Sequence, residues 1–228
     1  SLGCNPQDDR RVDIALQGPR AMEIALRCLS PETGQRLRRL RRGEFLEDVV
    51  EGIPAIVSRT GYTGEEMGLE FYVHPDQAVA LWHLLLQRGA DLGVKPTGLG
   101  ARDSTRTEAG LPLYGHELAG EHGINPIEAG YGAFVKLHKP FFVARAAIVR
   151  AVEQRKREIV RFQMKEKGIR AVRGGFPVVS ARGDYAGIVT SCTLVEGVQT
   201  GLALVAINYA KENTSLAIFP LPREGKAP

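Results

Sequence analysis

The chain has 228 residues, of which 43% are hydrophobic and 25% are charged, so it can bury a substantial core and form one large or two ordinary domains. Its net charge of +4 is mildly basic and only 7% of its residues are aromatic, a composition that argues against a nucleic-acid-binding protein. The basic excess is concentrated in one short segment, which we interpret as a solvated helix face. The arginines of this segment are Arg36, Arg38, Arg39, Arg41 and Arg42.

Three cysteines, Cys4, Cys28 and Cys192, are odd in number and far apart. This pattern predicts neither a disulfide framework nor a metal site, and it favours a reducing compartment. The sequence has no apolar run of the roughly 20 residues that span a bilayer and no signal-peptide core near its start. We therefore expect no membrane association and a cytoplasmic location, or the mitochondrial matrix in a eukaryote. Because an initiator Met is missing, we expect a piece of a longer polypeptide.

The first elements along the chain are a strand and two helices. Residues 12–16 alternate in polarity and predict a strand that ends at Gly18, followed by a helix from residue 20 to about 29. Ser30 is a typical N-cap for a second helix, which we predict to run through the arginine segment and end at Gly43.

Two further strands are predicted at residues 54–59 and 69–73, joined by a Gly-Tyr-Thr-Gly turn at 61–64. Pro75 then opens an amphipathic helix. This alternation of strands and helices predicts an α/β or α+β core. The predicted apolar face of the helix consists of Val79, Leu81, Trp82, Leu85 and Leu86.

The C-terminal part has a different sequence pattern. Residues 111–140 are rich in Gly and Pro and predict irregular structure, and 141–154 predict a helix. Short β segments follow at close spacing, which is typical of a small all-β barrel or sandwich. We therefore predict an α+β protein with a core over residues 1–154 and a β-barrel domain over 155–228. The predicted strands are 159–164, 176–179, 185–191, 201–207 and 215–219.

Glu70 is the first candidate for a ligand-binding residue. It follows a turn that is rich in glycine and carboxylates, and it stands at the start of a strand. A carboxylate can accept two parallel hydrogen bonds, so Glu70 could hold a planar N–H edge such as that of a pterin or a guanidine. The alternative, which the sequence leaves equally open, is a buried ion pair with Arg102 or Arg59.

Arg102 and Arg106 lie four residues apart in a predicted helix that opens with glycines, so we expect them on one helix face. Two guanidiniums there would suit a carboxylate or phosphate. The alternative is an Asp103–Arg106 pair on a solvated face. Tyr62 is either a packing residue or a ring that stacks on a planar ligand.

Arg173 lies at a glycine-rich β-turn, where it is either a surface residue or a ligand-binding cation. His116 and His122 receive no functional assignment, since an isolated histidine is usually structural. The sequence lacks the motifs of serine hydrolases, dinucleotide-binding proteins and P-loop nucleotide-triphosphatases.

Several motifs in the same order resemble those of one family, the T-protein of the glycine cleavage system, which is a tetrahydrofolate-dependent aminomethyltransferase. The resemblance covers about residues 12–210. The motifs are IALQGPRA at 14–21, SRTGYTGE at 58–65, GLE at 68–70, GLGARDS at 98–104 and EAGLPLYGHE at 108–117.

The resemblance implies transfer of a methylene group from the aminomethyl-lipoyl arm of the H-protein to tetrahydrofolate, with release of ammonia. The lipoylated H-protein and tetrahydrofolate are then the expected partners. By the same resemblance, Glu70 matches the residue that holds the pterin edge and Tyr62 a residue that lines that pocket. Arg102 matches a folate-site arginine, and Arg173 matches a pocket arginine from the C-terminal domain.

The sequence also departs from the family pattern. The family's chain is longer at its N-terminus, where it carries an aspartate thought to assist attack by the folate nitrogen, so the catalytic residues here are unknown. Residues 190–196 read TSCTLVE where the family usually has Thr-Ser-Gly followed by Ser-Pro, and the tail after Phe219 differs as well. The alternatives are a folate-dependent demethylase, the folate domain of a dimethylglycine or sarcosine oxidase, and a non-catalytic folate-binding module.

Overall fold

The computed structural model describes residues 9–221, and Cys4 lies outside them. The chain forms two compact units that divide between Arg102 and Asp103. Among the described residues, no helix has both the length and the apolar character needed to cross a bilayer.

The first unit is built on a four-stranded antiparallel sheet. Its strands are β1 (Val12–Gln17), β2 (Phe45–Val50), β3 (Ile53–Ser58) and β4 (Gly68–Val73), in the order β1-β4-β3-β2. Strands β1, β3 and β4 confirm the sequence prediction, whereas β2 was not predicted.

The β2–β3 hairpin turns at Glu51 and Gly52, whose φ angles are 44° and 87°. Two consecutive residues with positive φ are what a two-residue type I′ turn requires. Asn or Asp is the usual first residue of such a turn, so the sequence pattern did not indicate a hairpin at Glu51.

Three helices cover the sheet of the first unit: α1 (Ala21–Leu26), α2 (Pro31–Arg39) and α3 (Pro75–Arg88). The Thr33 amide donates to Ser30 Oγ at 3.1 Å, which confirms the predicted N-cap of α2. This helix ends at Arg39 rather than at Gly43, because Leu40 adopts an extended backbone conformation.

The hydrophobic core of the first unit lies on one face of the sheet. Leu69, Phe71 and Val73 on β4 are fully buried in it, together with Leu81 and Leu85 of α3. Alternate residues of a strand point to opposite faces, so residues 70 and 72 lie on the outer face.

The buried face of α3 is narrower than the apolar face that the sequence predicted. Leu81 and Leu85 are buried as expected, but Val79 is 68% and Trp82 is 38% exposed. Ala78 and Leu84 pack against the core instead. The buried face therefore passes through positions 78, 81 and 85, which lie three and four residues apart, and Trp82 is rotated away from it.

The second unit combines irregular chain, helix α5 (Arg145–Glu153) and a five-stranded antiparallel sheet. Helix α4 (Leu99–Glu108) contains the division between the two units. The strand order is β5-β8-β7-β6-β9. The strands are β5 (Arg157–Gln163), β6 (Pro177–Ser180), β7 (Tyr185–Val195), β8 (Val198–Ala206) and β9 (Leu216–Ile218).

The α+β class and the all-β character of the C-terminal segment are confirmed. The sheet is open rather than a closed barrel: within residues 9–221 its edge strands are β5 and β9, and β9 pairs only with β6. A barrel closes only when its edge strands pair with each other, and β5 and β9 do not pair in the described part of the chain.

The predicted domain division after residue 154 stays a prediction, and the compact units of the structure divide earlier. Residues 103–154 belong to the same unit as the C-terminal sheet. Ile124 and Ala129 from this segment form a buried cluster with Leu204 of β8, and the Ile159 amide donates to the Glu128 carbonyl at 2.7 Å.

A buried ionic network also ties this segment to the sheet. Arg106 and Glu117 are 1% and 0% exposed, and Arg106 Nη1 lies 2.8 Å from Glu117 Oε2. The Ser191 hydroxyl accepts from Arg106 Nη2 at 2.8 Å and donates to Glu117 Oε1 at 2.5 Å. Arg106 Nε also donates to Asp103 at 2.8 Å. All charges of this cluster are therefore paired, as burial of ions requires.

Candidate functional site

The outer face of the first sheet carries Glu70 near its centre. Strand β4 lies between β1 and β3, and Glu70 pairs in register with Ala15 on one side and Ser58 on the other. Residues paired in register across antiparallel strands project from the same face. The side chain of Glu70 is half-buried, so it is supported by the sheet and still reachable from solvent.

Hydroxyl groups supply the hydrogen bonds of the Glu70 carboxylate. Thr60 Oγ1 donates to Glu70 Oε2, and the Tyr72 hydroxyl lies 3.4 Å from the same oxygen. Ser58 Oγ lies 2.5 Å from Thr60 Oγ1. The guanidinium of Arg59 is engaged elsewhere, since its Nη1 donates to the Leu40 carbonyl at 2.7 Å. The ion pair with Arg59 that the sequence left open is thus replaced by a set of neutral donors.

Asp13 is a second carboxylate on this face, and sequence reasoning missed it. It pairs in register with Tyr72 and is therefore a diagonal neighbour of Glu70. Partial burial raises the pKa of Asp13, the charge of Glu70 raises it further, and Arg102 lowers it. The signal in the sequence was the alternation of β1, which places residue 13 on the same face as Ala15.

Tyr72 is the second residue that the sequence reasoning missed. Burial, then the charges of Glu70 and Asp13, raise the pKa of its phenol above the usual value of 10.0. The hydroxyl therefore keeps its proton at neutral pH and remains a hydrogen-bond donor. Its position two residues after Glu70 on a strand is what indicated a shared face.

The turn between β3 and β4 is fixed by Gln17, the last residue of β1. Its Nε2 donates to the carbonyls of Leu69 at 3.2 Å and Thr60 at 3.4 Å, and its Oε1 accepts from Thr63 Oγ1 at 3.1 Å. A side chain at Gly61 would overlap the Gln17 amide, which lies 2.0 Å from the Cβ position. Tyr62 is half-buried within this turn. Gly61 thus allows close packing of the turn against Gln17, whereas Gly64 provides the positive φ of 87° that the turn needs.

Arg102 and Arg106 do not form the common cationic face that the sequence predicted. Arg102 is exposed in the first half of α4, and it is close enough to Asp13 to lower the pKa of that carboxyl. Arg106 is buried and paired with Glu117 and Asp103. The predicted Asp103–Arg106 pair is present, but its Arg106 end is buried by contacts with Glu117 and Ser191, whereas Asp103 remains 54% exposed.

Arg173 belongs to the second unit and is exposed. It begins a tight turn, in which the Phe176 amide donates to the Arg173 carbonyl at 3.3 Å. A Cβ at Gly174 would lie 2.9 Å from the Thr190 carbonyl, so glycine allows this turn to approach β7 closely. The assignment of Arg173 to the ligand site stays a prediction.

The described residues contain no group of three or more His, Cys, Asp or Glu side chains arranged to hold a metal ion. Within residues 9–221 the remaining cysteines are buried or half-buried, and burial raises the pKa of both Cys28 and Cys192 to about 11. Both are therefore thiols rather than reactive thiolates at neutral pH.

The outer face is thus rich in hydrogen-bond acceptors, with an exposed cation within electrostatic reach. Two carboxylates, Glu70 and Asp13, stand beside a phenol and two aliphatic hydroxyls. Such a set suits a planar ligand that presents several N–H donors. Arg102 offers a cation for an acidic group of the same ligand.

Comparison with known proteins assigns the chain to a family. The GCVT N-terminal domain matches residues 4–139, which is more than half of the chain. The chain therefore belongs to the family of glycine cleavage T-proteins, as the motifs of the sequence indicated.

Bacterial aminomethyltransferases are among the proteins to which the chain is similar. The aminomethyltransferase of Alkaliphilus oremlandii is 44% identical over 211 residues, which cover 90% of this chain and 54% of that protein. That of Symbiobacterium thermophilum is 43% identical over 210 residues, covering 89% and 53%. The crystal structure of the glycine cleavage system aminomethyltransferase T from Bartonella henselae matches with a TM-score of 0.74 and 28% identity, over 91% of this chain and 55% of that chain. The chain spans about half the length of the curated relatives it matches.

Proposed function

We propose that this chain is the folate-binding portion of an aminomethyltransferase of the glycine cleavage system. The protein would accept a methylene group from the aminomethyl-lipoyl arm of the H-protein and pass it to tetrahydrofolate, with release of ammonia. Family membership and the aminomethyltransferases to which the chain is similar support this reaction. The cytoplasmic location that the sequence favoured stays a prediction.

The observation that carries the proposal is Glu70 on the outer face of the sheet, with one carboxylate oxygen held by hydroxyls. A pterin presents adjacent N–H and NH₂ donors on one edge, and a carboxylate accepts from both in the plane of the ring. Asp13 adds a second acceptor beside it. A face built of acceptors is complementary to this edge and repels an anionic one.

Two other predicted site residues receive roles that follow from their positions. Tyr62, in the turn beside Glu70, would stack on the pterin ring. Arg102 would pair with the acidic glutamyl tail of folate, for which an exposed guanidinium is well suited.

The first test is titration of the 228-residue chain with tetrahydrofolate by calorimetry. Saturable binding with one ligand per chain supports the folate-binding role. Absence of binding at millimolar tetrahydrofolate contradicts the proposal that this portion binds folate by itself.

The second test asks which reaction the family member performs. The 211 residues of the Alkaliphilus oremlandii aminomethyltransferase that align with this chain are exchanged for it, and the hybrid is assayed with aminomethyl-loaded H-protein. We expect production of methylenetetrahydrofolate and ammonia. A hybrid that is folded and binds folate, but uses only a methylated amine as donor, would favour the demethylase alternative.

A further inference from the structure

We propose that Thr60 is the positioning residue of Glu70, as the middle member of a hydroxyl chain that begins at Ser58. This inference rests on the proposed function, in which Glu70 binds the folate ring. It assigns to the Ser-Arg-Thr segment at 58–60 a purpose that neither the motif nor the family match specifies.

The direction of the chain follows from the chemistry of its members. An ionised carboxylate only accepts hydrogen bonds, so the proton between Thr60 Oγ1 and Glu70 Oε2 comes from the threonine. A hydroxyl has one proton to donate, so the Thr60 oxygen must accept at its short contact of 2.5 Å with Ser58 Oγ. The chain therefore runs from Ser58 to Thr60 to Glu70. Hydrogen bonds linked in this way polarise and strengthen one another.

The strand geometry explains why these three residues meet. Ser58 is the last residue of β3 and pairs in register with Glu70, so both project from the outer face. Thr60 follows two residues later, and its carbonyl accepts from Gln17 Nε2 at 3.4 Å. The backbone of Thr60 is thus hydrogen-bonded to β1, while its hydroxyl donates to the Glu70 carboxylate.

The consequence for Glu70 is that its orientation is set without a ligand. Thr60 donates to one lone pair of Oε2, and the Tyr72 hydroxyl makes only a long contact of 3.4 Å with the same oxygen, so the carboxylate plane is turned in one direction while acceptor sites remain on both oxygens. A carboxylate that is already oriented loses less side-chain entropy when it grips a two-donor edge. Thr60 therefore contributes to affinity through Glu70 and needs no contact with the ligand.

The experiment is a double-mutant cycle on tetrahydrofolate binding by this chain, followed by calorimetry and thermal unfolding. Thr60→Val keeps the shape of the side chain and removes its donor, so we expect the Kd to rise about tenfold. Thr60→Ser restores the hydroxyl and should keep the Kd within about twofold of the original. Thr63→Val is the matched control, because it removes a hydroxyl of the same turn that bonds Gln17 instead of Glu70.

The decisive result is the effect of Thr60→Val in a Glu70→Gln background. If Thr60 acts through Glu70, its replacement there leaves the Kd nearly unchanged. A tenfold loss in both backgrounds would mean that Thr60 acts independently and would overturn the inference. If Glu70→Gln by itself leaves the Kd unchanged, the proposed function fails instead, so the two failures are distinguishable.

A separate variant covers the case in which Thr60→Val is too unstable to titrate. Ser58→Ala removes the far end of the chain together with a side-chain hydrogen bond to Tyr72, and we expect the Kd to rise about threefold while Thr60 still donates. An unchanged Kd in a folded Ser58→Ala variant would show that no polarised chain supports Glu70.

Discussion

Replacing Glu117 by Gln should destabilise the second unit strongly. Glu117 is 0% exposed, and it accepts hydrogen bonds from Arg106, Ser191 and the Leu113 amide. Glutamine keeps one acceptor oxygen but places an NH₂ group against donors, and it leaves the buried guanidinium without its full countercharge. Breaking a buried pair costs about 3–5 kcal/mol, and we expect about 3 kcal/mol because Asp103 still pairs with Arg106. This is a large share of the roughly 5–15 kcal/mol that stabilises an ordinary domain.

The assay is urea unfolding at neutral pH, with Glu23→Gln as the control because Glu23 forms a comparable but exposed pair with Arg20. The control should leave the midpoint unchanged. The pH dependence gives a second test. Burial raises the pKa of Glu117, but hydrogen bonds from Ser191, Leu113 and Thr190 and the charge of Arg106 together lower it more, so the folded pKa lies below the usual 4.5. The stabilisation is therefore present above pH 4.5 and disappears as the pH falls through the folded pKa. A loss below about 1 kcal/mol at neutral pH would refute the network as a stabilising element.

Two further predictions concern the first unit. Ser30→Ala removes the side-chain acceptor of the Thr33 amide, so it should lower the free energy of unfolding in urea by about 1 kcal/mol. Ser30→Asn keeps an acceptor and should retain most of that stability. Equal stability of all three proteins would contradict the cap. Cys28 is 1% exposed with its pKa raised to about 11, so iodoacetamide at pH 8 should leave it unmodified in the native protein, as peptide mass spectrometry can establish. Labelling of Cys28 as fast as in the urea-unfolded chain would contradict its burial.

Most of the fold was predictable because local signals agree with it. The alternation of β1 and β4, the Ser30 cap and the closely spaced C-terminal strands are all readable without tertiary information. Strand β2 was missed because its turn uses Glu51 with positive φ, which is not a typical turn residue. The sequence could not show that the C-terminal sheet is open, because closure of a barrel depends on whether the edge strands pair with each other.

The candidate site was predictable only in part. Glu70 was identified because its strand start and turn are visible in the sequence, but its partners Thr60 and Tyr72 required the register of the sheet. Asp13 was missed for the same reason, since it reaches Glu70 only through pairing of β1 with β4. Helical spacing grouped Arg106 with Arg102, yet contacts with Glu117 and Ser191, distant in sequence, decided its position.

The measurement that tests the central claim most directly is the response of Glu70→Gln in both tetrahydrofolate affinity and melting temperature. If Glu70 holds the pterin edge, the variant keeps the fold and loses about 2–4 kcal/mol of binding, because a charge-assisted bond is lost and a donor then faces a donor. The melting temperature should be nearly unchanged. Glu66→Gln, an exposed carboxylate of the same turn, is the matched control and should alter neither quantity. A lower melting temperature with unchanged folate affinity would show that Glu70 is a structural residue and would contradict the account.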